Sequence, residues 1–220
     1  MANITDTQKL AAELAELYGE ETRDRLFSYI DMVLDRNRHI NLTAVKDRDE
    51  AMQKHLADSL TITDLPEYRE AETVLDVGTG AGFPGALLAI VSPQKKFVLM
   101  DSTLKRLRVI DEFAQTLGIS NLETLHARAE EICRKPEYNG QFDLCVSRAV
   151  ADLSRLSGWC LPFVGTGGYM VAYKGSNYKE ELDAAAASLR KNKGRLDRVE
   201  VARGATDDIS GHVLLIIRKK

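Results

Sequence analysis

Residues 73 to 85 read Thr73-Val74-Leu75-Asp76-Val77-Gly78-Thr79-Gly80-Ala81-Gly82-Phe83-Pro84-Gly85, and the fold is decided here. Val74, Leu75 and Val77 predict a short buried strand. The alternate glycines that follow predict a turn whose backbone lies against something else, since a turn is weakened by three glycines unless close approach needs them. Pro84 predicts that a helix opens there, because a missing N–H is no loss in a first helical turn. Strand, glycine turn and helix together make the first half of a βαβ unit.

Downstream, short β-branched runs alternate with helical segments, the pattern of a parallel sheet covered on both faces. Further strands are predicted at 97–101, 122–126, 142–147 and 168–173. The clearest helix spans 103–117, with Leu107, Ile110, Phe113, Ala114 and Leu117 on one face and Gly118 ending it. Runs at 198–203 and 212–218 are also strand-like, and too few residues separate them for a crossover helix, so an antiparallel hairpin is expected. Upstream, residues 1–70 read as a helical extension. Leu10, Leu14 and Leu17 repeat at helical spacing behind caps at Thr5 or Asp6, with Gly19 closing the segment. Leu26, Phe27, Ile30, Val33 and Leu34 mark a second helix to about Arg38, and Met52, Leu56 and Leu60 a third over 49–63. The expected architecture is α/β and Rossmann-like: a mostly parallel seven-stranded sheet with an antiparallel C-terminal hairpin and an N-terminal helical extension. Residues 71–220 form its core, and the whole is one structural domain.

The 220 residues are 44% hydrophobic and 29% charged, an ordinary globular balance. The longest apolar run, Ala86 to Val91, falls far short of the roughly 18 residues a membrane helix needs. With no apolar signal core at the start either, a cytoplasmic protein is expected. The net charge is −3, but nine basic residues stand against fifteen acidic ones in 1–70, while 71–220 carry a surplus of cations. Nonspecific coating of nucleic acid is excluded by this balance, and a local basic site is not. Cys133, Cys145 and Cys160 lack the Cys-x-x-Cys spacing of a zinc or redox site, and three reduced, buried thiols are expected. No metal site is predicted.

Two ligands fit the glycine turn. Gly80 to Gly85 matches the G-x-G-x-x-G dinucleotide fingerprint, with Asp101 nineteen residues after Gly82 as the ribose acceptor. In the other frame, Asp76 at the strand end followed by Gly78, Gly80 and Gly82 resembles the first motif of S-adenosylmethionine-dependent methyltransferases, with Asp101 again on the ribose. The second frame also accounts for Asp76 and for the C-terminal hairpin, which resembles the last two strands of that superfamily. In an open parallel sheet ligands bind beyond the carboxyl ends of the strands, and Gly78, Asp101, Ala129-Glu130, Arg148 and Lys174 all fall on that rim.

Asn41-Leu42-Thr43-Ala44, Lys54-His55-Leu56-Ala57-Asp58-Ser59-Leu60, the 76–85 loop, Asp101-Ser102 with Lys105-Arg106, Val146-Ser147-Arg148-Ala149 and Ala172-Tyr173-Lys174-Gly175 follow one another in order. Together they resemble the bacterial 16S ribosomal RNA guanine-N7 methyltransferases, also called the glucose-inhibited division protein B family, over about residues 20 to 220. The resemblance implies S-adenosyl-L-methionine as cofactor, held by Gly78, Gly80, Phe83, Asp101, Ala129, Glu130 and Arg148. It also implies the small ribosomal subunit, through its 16S rRNA, as substrate. Guanine N7 has a free electron pair, so aiming it at the methyl group suffices and no catalytic acid or base is named. In A-form RNA that edge is buried in a deep, narrow groove, so a looped or extruded guanine is expected.

Lys105, Arg106 and Arg108, with Lys174, are expected to offer positive charge to RNA phosphates. Asn41, His55, Asp58 and Ser59 have two readings: a helical face closing over the cofactor or guanine, or a polar network tying the extension to the sheet. A Ser-His-Asp triad is rejected, because His55, Asp58 and Ser59 lie within about one helical turn, whereas a triad needs its partners on opposite imidazole nitrogens. His126 is expected to be a packed core residue. A monomer is expected. The rival functions are a nicotinamide oxidoreductase and a noncatalytic, cofactor-sensing assembly factor.

Overall fold

The computed structural model describes residues 6–201 and 212–220. Seven strands form one sheet in the order β3-β2-β1-β4-β5-β7-β6. They are β1 Thr73–Val77, β2 Lys96–Asp101, β3 Leu122–His126, β4 Phe142–Arg148, β5 Val164–Lys174, β6 Gly194–Val201 and β7 Val213–Lys219. The first five pair in parallel and β7 runs antiparallel to both β5 and β6. The hairpin predicted from the short connection is therefore present, and residues 202–203 of its expected first strand lie outside the described residues. β5 begins four residues earlier than its apolar run suggests, through Gly165, Gly167 and Gly168, where its register against β4 is irregular.

Alternation along β1 sends Val74 and Asp76 to one face and Leu75 and Val77 to the other. On the first face pack α1 Asp6–Tyr18, α2 Glu20–Asn37, α5 Pro66–Glu70, α6 Gly85–Val91 and α7 Leu104–Thr116, in one continuous core with Leu99, Val146 and Ile216. The opposite face carries α8 Ala129–Ile132, α9 Leu153–Cys160 and α10 Tyr178–Lys191. Between α2 and α5 the chain forms α3 Arg48–Ala51, a π-helical stretch Met52–Ala57, α4 Asp58–Leu60 and a 3-10 turn Thr61–Asp64. Every residue of α6 from Gly85 to Ile90 is buried, with the sheet beneath it and the N-terminal helices above. That covering explains its apolar sequence all round the helix.

Three expectations change on this scaffold. The third helix is not uniform: its middle widens into the π stretch, and the trace in the sequence is that Met52, Leu56 and Leu60 recur by four throughout instead of alternating three and four. Leu17, placed on the buried stripe of the first helix, is 70% exposed, because α1 buries only Leu10 and Leu14. His126 is exposed, not core, since β3 is an edge strand, and its Nε2 lies 3.1 Å from the Ser102 carbonyl. The Thr5 cap lies outside the described residues. All three cysteines are reduced and buried, as their spacing predicts.

Candidate active site

Asp76 ties the glycine turn from within. Its side chain is fully buried, and its Oδ2 accepts from Thr79 Oγ1 at 2.6 Å and from the Gly85 N–H at 2.9 Å. Burial pushes its pKa up to about 6, against the pull of those two donors. Helix α6 begins at Gly85, so Pro84 is the residue before it, one place earlier than the sequence suggests. Next to this staple, the Gly78 and Thr79 amides donate to the Met100 carbonyl, and the Gly80 amide donates to Asp101 Oδ2 at 3.0 Å. Asp101 Oδ1 accepts from the Thr103 amide at 2.8 Å, so the Asp101 carboxylate joins the turn to the end of β2. From above, Tyr29 of α2 donates its hydroxyl to the Ala81 carbonyl at 2.9 Å and sets its ring edge-on to Phe83. The helical extension thus helps to shape the turn.

A cavity of about 200 Å³ opens between this turn, the end of β2 and the start of α8, lined by Gly78, Asp101, Ala129, Glu130, Val150 and Trp159. Gly78 has φ +74, and a Cβ there would overlap the Val150 side chain, so this position is restricted to glycine twice over. Above Gly80 there is open space. A carboxylate has about four acceptor sites, and backbone amides fill two on Asp101, leaving room for hydroxyl donors. A second cavity of about 520 Å³ adjoins the first, with Arg148, Val150, Tyr173, Asp58 and His212 in its wall. Val150 lines both.

Arg148 is the centre of the second cavity's wall. Its Nη1 donates to Asp58 Oδ2 at 2.8 Å and to the Lys54 carbonyl at 3.0 Å, and its Nη2 lies 3.4 Å from His55 Nδ1. Its guanidinium sits 5.5 Å from the Phe83 ring centre, and His55 stacks on that ring at 4.6 Å. Since arginine can only donate, Nδ1 of His55 accepts and Nε2 carries the proton toward Thr43 Oγ1, 2.7 Å away. Burial first, then the Arg148 charge, lowers the His55 pKa to about 4, so the ring is neutral near pH 7. Asp58 is 1% exposed, and its other oxygen lies 3.3 Å from His212 Nδ1.

Of the two readings for this helical face, the polar network linking extension to sheet is present through His55 and Asp58. Ser59 is buried, its Oγ has no partner among the described residues, and its carbonyl accepts from Tyr173. His55, Asp58 and Ser59 therefore form no relay, in keeping with the rejection of a triad from their spacing. Asn41 is exposed, and the asparagine that orders its connector is Asn37, whose side chain binds the backbone of Leu42 and Thr43.

Lys174 departs from expectation as a cation available to RNA. Its side chain is 8% exposed and its ammonium donates to Glu181 Oε2 at 2.6 Å and the Ala151 carbonyl at 2.7 Å, because α10 packs a carboxylate directly over the end of β5. Lys105 and Arg108 are exposed, while Arg106 lies 3.7 Å from Asp101. Sequence reasoning passed over Tyr29, Val150, Trp159, Glu181 and His212. Tyr29 repeats with Leu26 and Val33 on the α2 stripe, where nothing separates a loop contact from core packing. His212 carried no local signal.

With that geometry in place, the family model for rRNA small subunit methyltransferase G matches residues 22–209. A ribosomal RNA small subunit methyltransferase G of Clostridium novyi is 39% identical over 97% of this chain and 88% of its own length. Another, from Moorella thermoacetica, is 43% identical over 74% of this chain and 68% of its own. Among solved structures, M. jannaschii TYW2 in complex with AdoMet superposes with TM-score 0.54 at 18% identity, covering 69% of this chain and 70% of that one. That likeness is one of fold, the class I methyltransferase sheet. The motifs, the sheet order and the length of the match agree, and the chain belongs to the rRNA small subunit methyltransferase G family.

Proposed function

We propose that this protein transfers a methyl group from S-adenosyl-L-methionine to N7 of a guanine in 16S rRNA of the small ribosomal subunit. The observation that carries the reading is the meeting of two cavities at Val150, one floored by the glycine turn and one walled by Arg148. When bound, S-adenosyl-L-methionine would supply an electrophilic sulfonium methyl with the neutral thioether as leaving group, so that attack by the N7 electron pair would need no general base. In the first cavity, the Gly78–Gly80 backbone offers close approach, and Asp101 and Glu130 offer acceptors for hydroxyl groups. On the other side, the Arg148 guanidinium, backed by the buried Phe83 ring, gives a planar cationic group in the wall suited to a flat base. Reaction requires the N7 pair and the methyl carbon to lie about 3–3.5 Å apart and in line. Arg148 cannot shift freely, because Asp58 and the Lys54 carbonyl hold it.

In this reading residues 1–70 work as one unit with the core, since Tyr29, His55 and Asp58 are built into the site. The enzyme acts as a monomer in the cytoplasm, where ribosomal particles assemble, and no helix among the described residues is long and apolar enough to cross a membrane.

The test is tritiated methyl transfer to small subunits purified from cells lacking this protein, with wild-type subunits, naked 16S RNA and bulk protein alongside. Label in the RNA of deficient subunits, released by the aniline cleavage that marks 7-methylguanine, is the expected result. Binding of cofactor and particle with no label in a single turnover would favour the assembly-factor reading instead. Tight NADH binding without S-adenosylmethionine binding would favour the oxidoreductase.

A further inference from the structure

At the opposite end of the sheet from the glycine turn lies a third cavity, of about 420 Å³. It sits where β4 and β5 begin, β7 ends and β6 starts. Arg134, Lys191, Lys193, Lys219 and Lys220 line it, and no aspartate or glutamate does. Among the described residues none of the five forms an ion pair. Lys219 donates to the Leu161 and Asn192 carbonyls, and Arg134 reaches Asn192 Oδ1 at 3.5 Å. Burial, with the nearby charges of Lys193 and Arg134, lowers the Lys219 pKa. Leaving Lys220 aside, four cations from three segments, Lys191 and Lys193 sharing the junction of α10 and β6, converge on one concavity that no carboxylate side chain of the described residues lines. The negative end of the α10 dipole bears on Lys191, in that helix's last turn, and on Lys193 just past its cap, but not on Arg134 or Lys219.

We propose that this cavity binds the phosphate backbone of RNA, as a second contact with the ribosomal particle remote from the methyl-transfer site. The inference rests on the function proposed above. RNA is favoured because much of the rim's charge is already matched, Arg148 with Asp58, Lys174 with Glu181, Lys54 with Glu50 and Arg106 near Asp101, which leaves Lys105 and Arg108 as the exposed cations there among those expected to meet RNA. Affinity for RNA comes largely from cations that displace counterions from phosphates, and the far cavity holds such cations unspent. β5 starts at this cavity with Val164 and ends at the rim with Lys174. At about 3.3 Å per residue the two sites are about 30 Å apart. One nucleoside cannot touch both, whereas a folded RNA in a ribosomal subunit can. The cavity therefore accounts for a preference for an assembled particle over a small substrate.

The test compares wild type with the triple variant Arg134→Gln, Lys191→Gln, Lys193→Asn, asparagine being chosen because Lys193 has φ +58. Binding to unmethylated small subunits is measured across a salt series, with S-adenosylmethionine affinity as the check on fold. The triple variant is expected to bind subunits about 10- to 100-fold more weakly, with the slope of log K against log salt shallower by about 2 to 3 and cofactor affinity unchanged. A control with Lys9→Gln, Arg38→Gln and Lys179→Gln carries the same charge change on other exposed surfaces. Equal loss in the control, or an unchanged affinity and slope in the triple variant, overturns the proposal. A photo-crosslinking amino acid at Lys191 should join to 16S RNA, and crosslinks to ribosomal protein alone would overturn it too. If wild type itself neither binds nor methylates subunits, the functional reading has failed and this inference falls with it. Normal binding and methylation by the triple variant removes this inference only.

Discussion

The two ends of the sheet treat positive charge in opposite ways. At the carboxyl ends, Arg148 and Lys174 are almost wholly buried and each is held by a carboxylate and a carbonyl. At the amino ends, Arg134, Lys191, Lys193 and Lys219 face one another with only neutral partners. The difference matches the roles proposed for the two ends. A group that positions a reacting atom has to be fixed before the substrate arrives, so its charge is compensated inside the protein. A group that attracts a polyanion is of use only if its charge is left for the partner. Truncating a cation should therefore damage fold and chemistry at the rim, and only association at the far end.

The largest effect should come from the rim's backbone. Gly78→Asp adds a side chain at φ +74 into space held by Val150, and we expect S-adenosylmethionine affinity to fall more than about 100-fold by calorimetry. Wild-type affinity would remove the glycine turn from the site. Next is Arg148→Ala, which strands the buried Asp58 carboxylate. Removing one partner of such a pair costs about 3–5 kcal/mol, to be read from denaturant melts, together with a sharp drop in single-turnover transfer. Adding Asp58→Asn should recover part of the stability and none of the rate.

The rim also holds two groups of opposite pH response. Asp76, raised to about 6 in the fold, contributes stability below about pH 4 that is lost as pH rises through 6. His55, lowered to about 4, acts in the reverse sense: stability is full above about pH 6.5 and is lost as pH falls toward 4. Each is worth on the order of 3 kcal/mol at most. Relative to wild type, Asp76→Asn should therefore gain stability and His55→Asn lose it as pH rises from 4 to 6.5, and parallel melting curves for all three proteins would contradict both assignments. The smallest effect belongs to the far end, where the triple variant should melt within about 0.5 kcal/mol of wild type.

How much of this was legible beforehand follows the range of the interactions. The glycine turn, five of the seven strand positions and the antiparallel hairpin are written in local patterns of apolar and turn residues, while β6 begins at Gly194, four residues before the run that marks it. β5 starts four residues before its apolar run because Gly165 and Gly167 look like a loop in the sequence, whereas Val164 pairs with Phe142 and the glycines carry the irregular stretch between that pair and Tyr169. His126 looked like a core residue because its strand was read without knowing that it lies at the edge. At the site, Asp101 and Arg148 were visible as strand-end residues. Their partners were not, since the Arg148–Asp58 pair joins residues 90 apart in sequence and Lys174 meets Glu181 only once α10 has docked. Charge could be counted from the sequence, but which charges are spent inside the protein could not.

The most direct test of this division of labour is the single-turnover rate of methyl transfer to unmethylated small subunits, measured against particle concentration for three proteins. Arg148→Lys, which keeps a charge opposite Asp58 but loses the planar fork, should have a lower rate at saturating particle. The far-end triple variant should reach the wild-type rate at saturation and need about 10- to 100-fold more particle to do so. An Arg148→Lys variant with the wild-type saturating rate, or a triple variant slowed at saturation, would contradict the assignment of chemistry to one end of the sheet and association to the other.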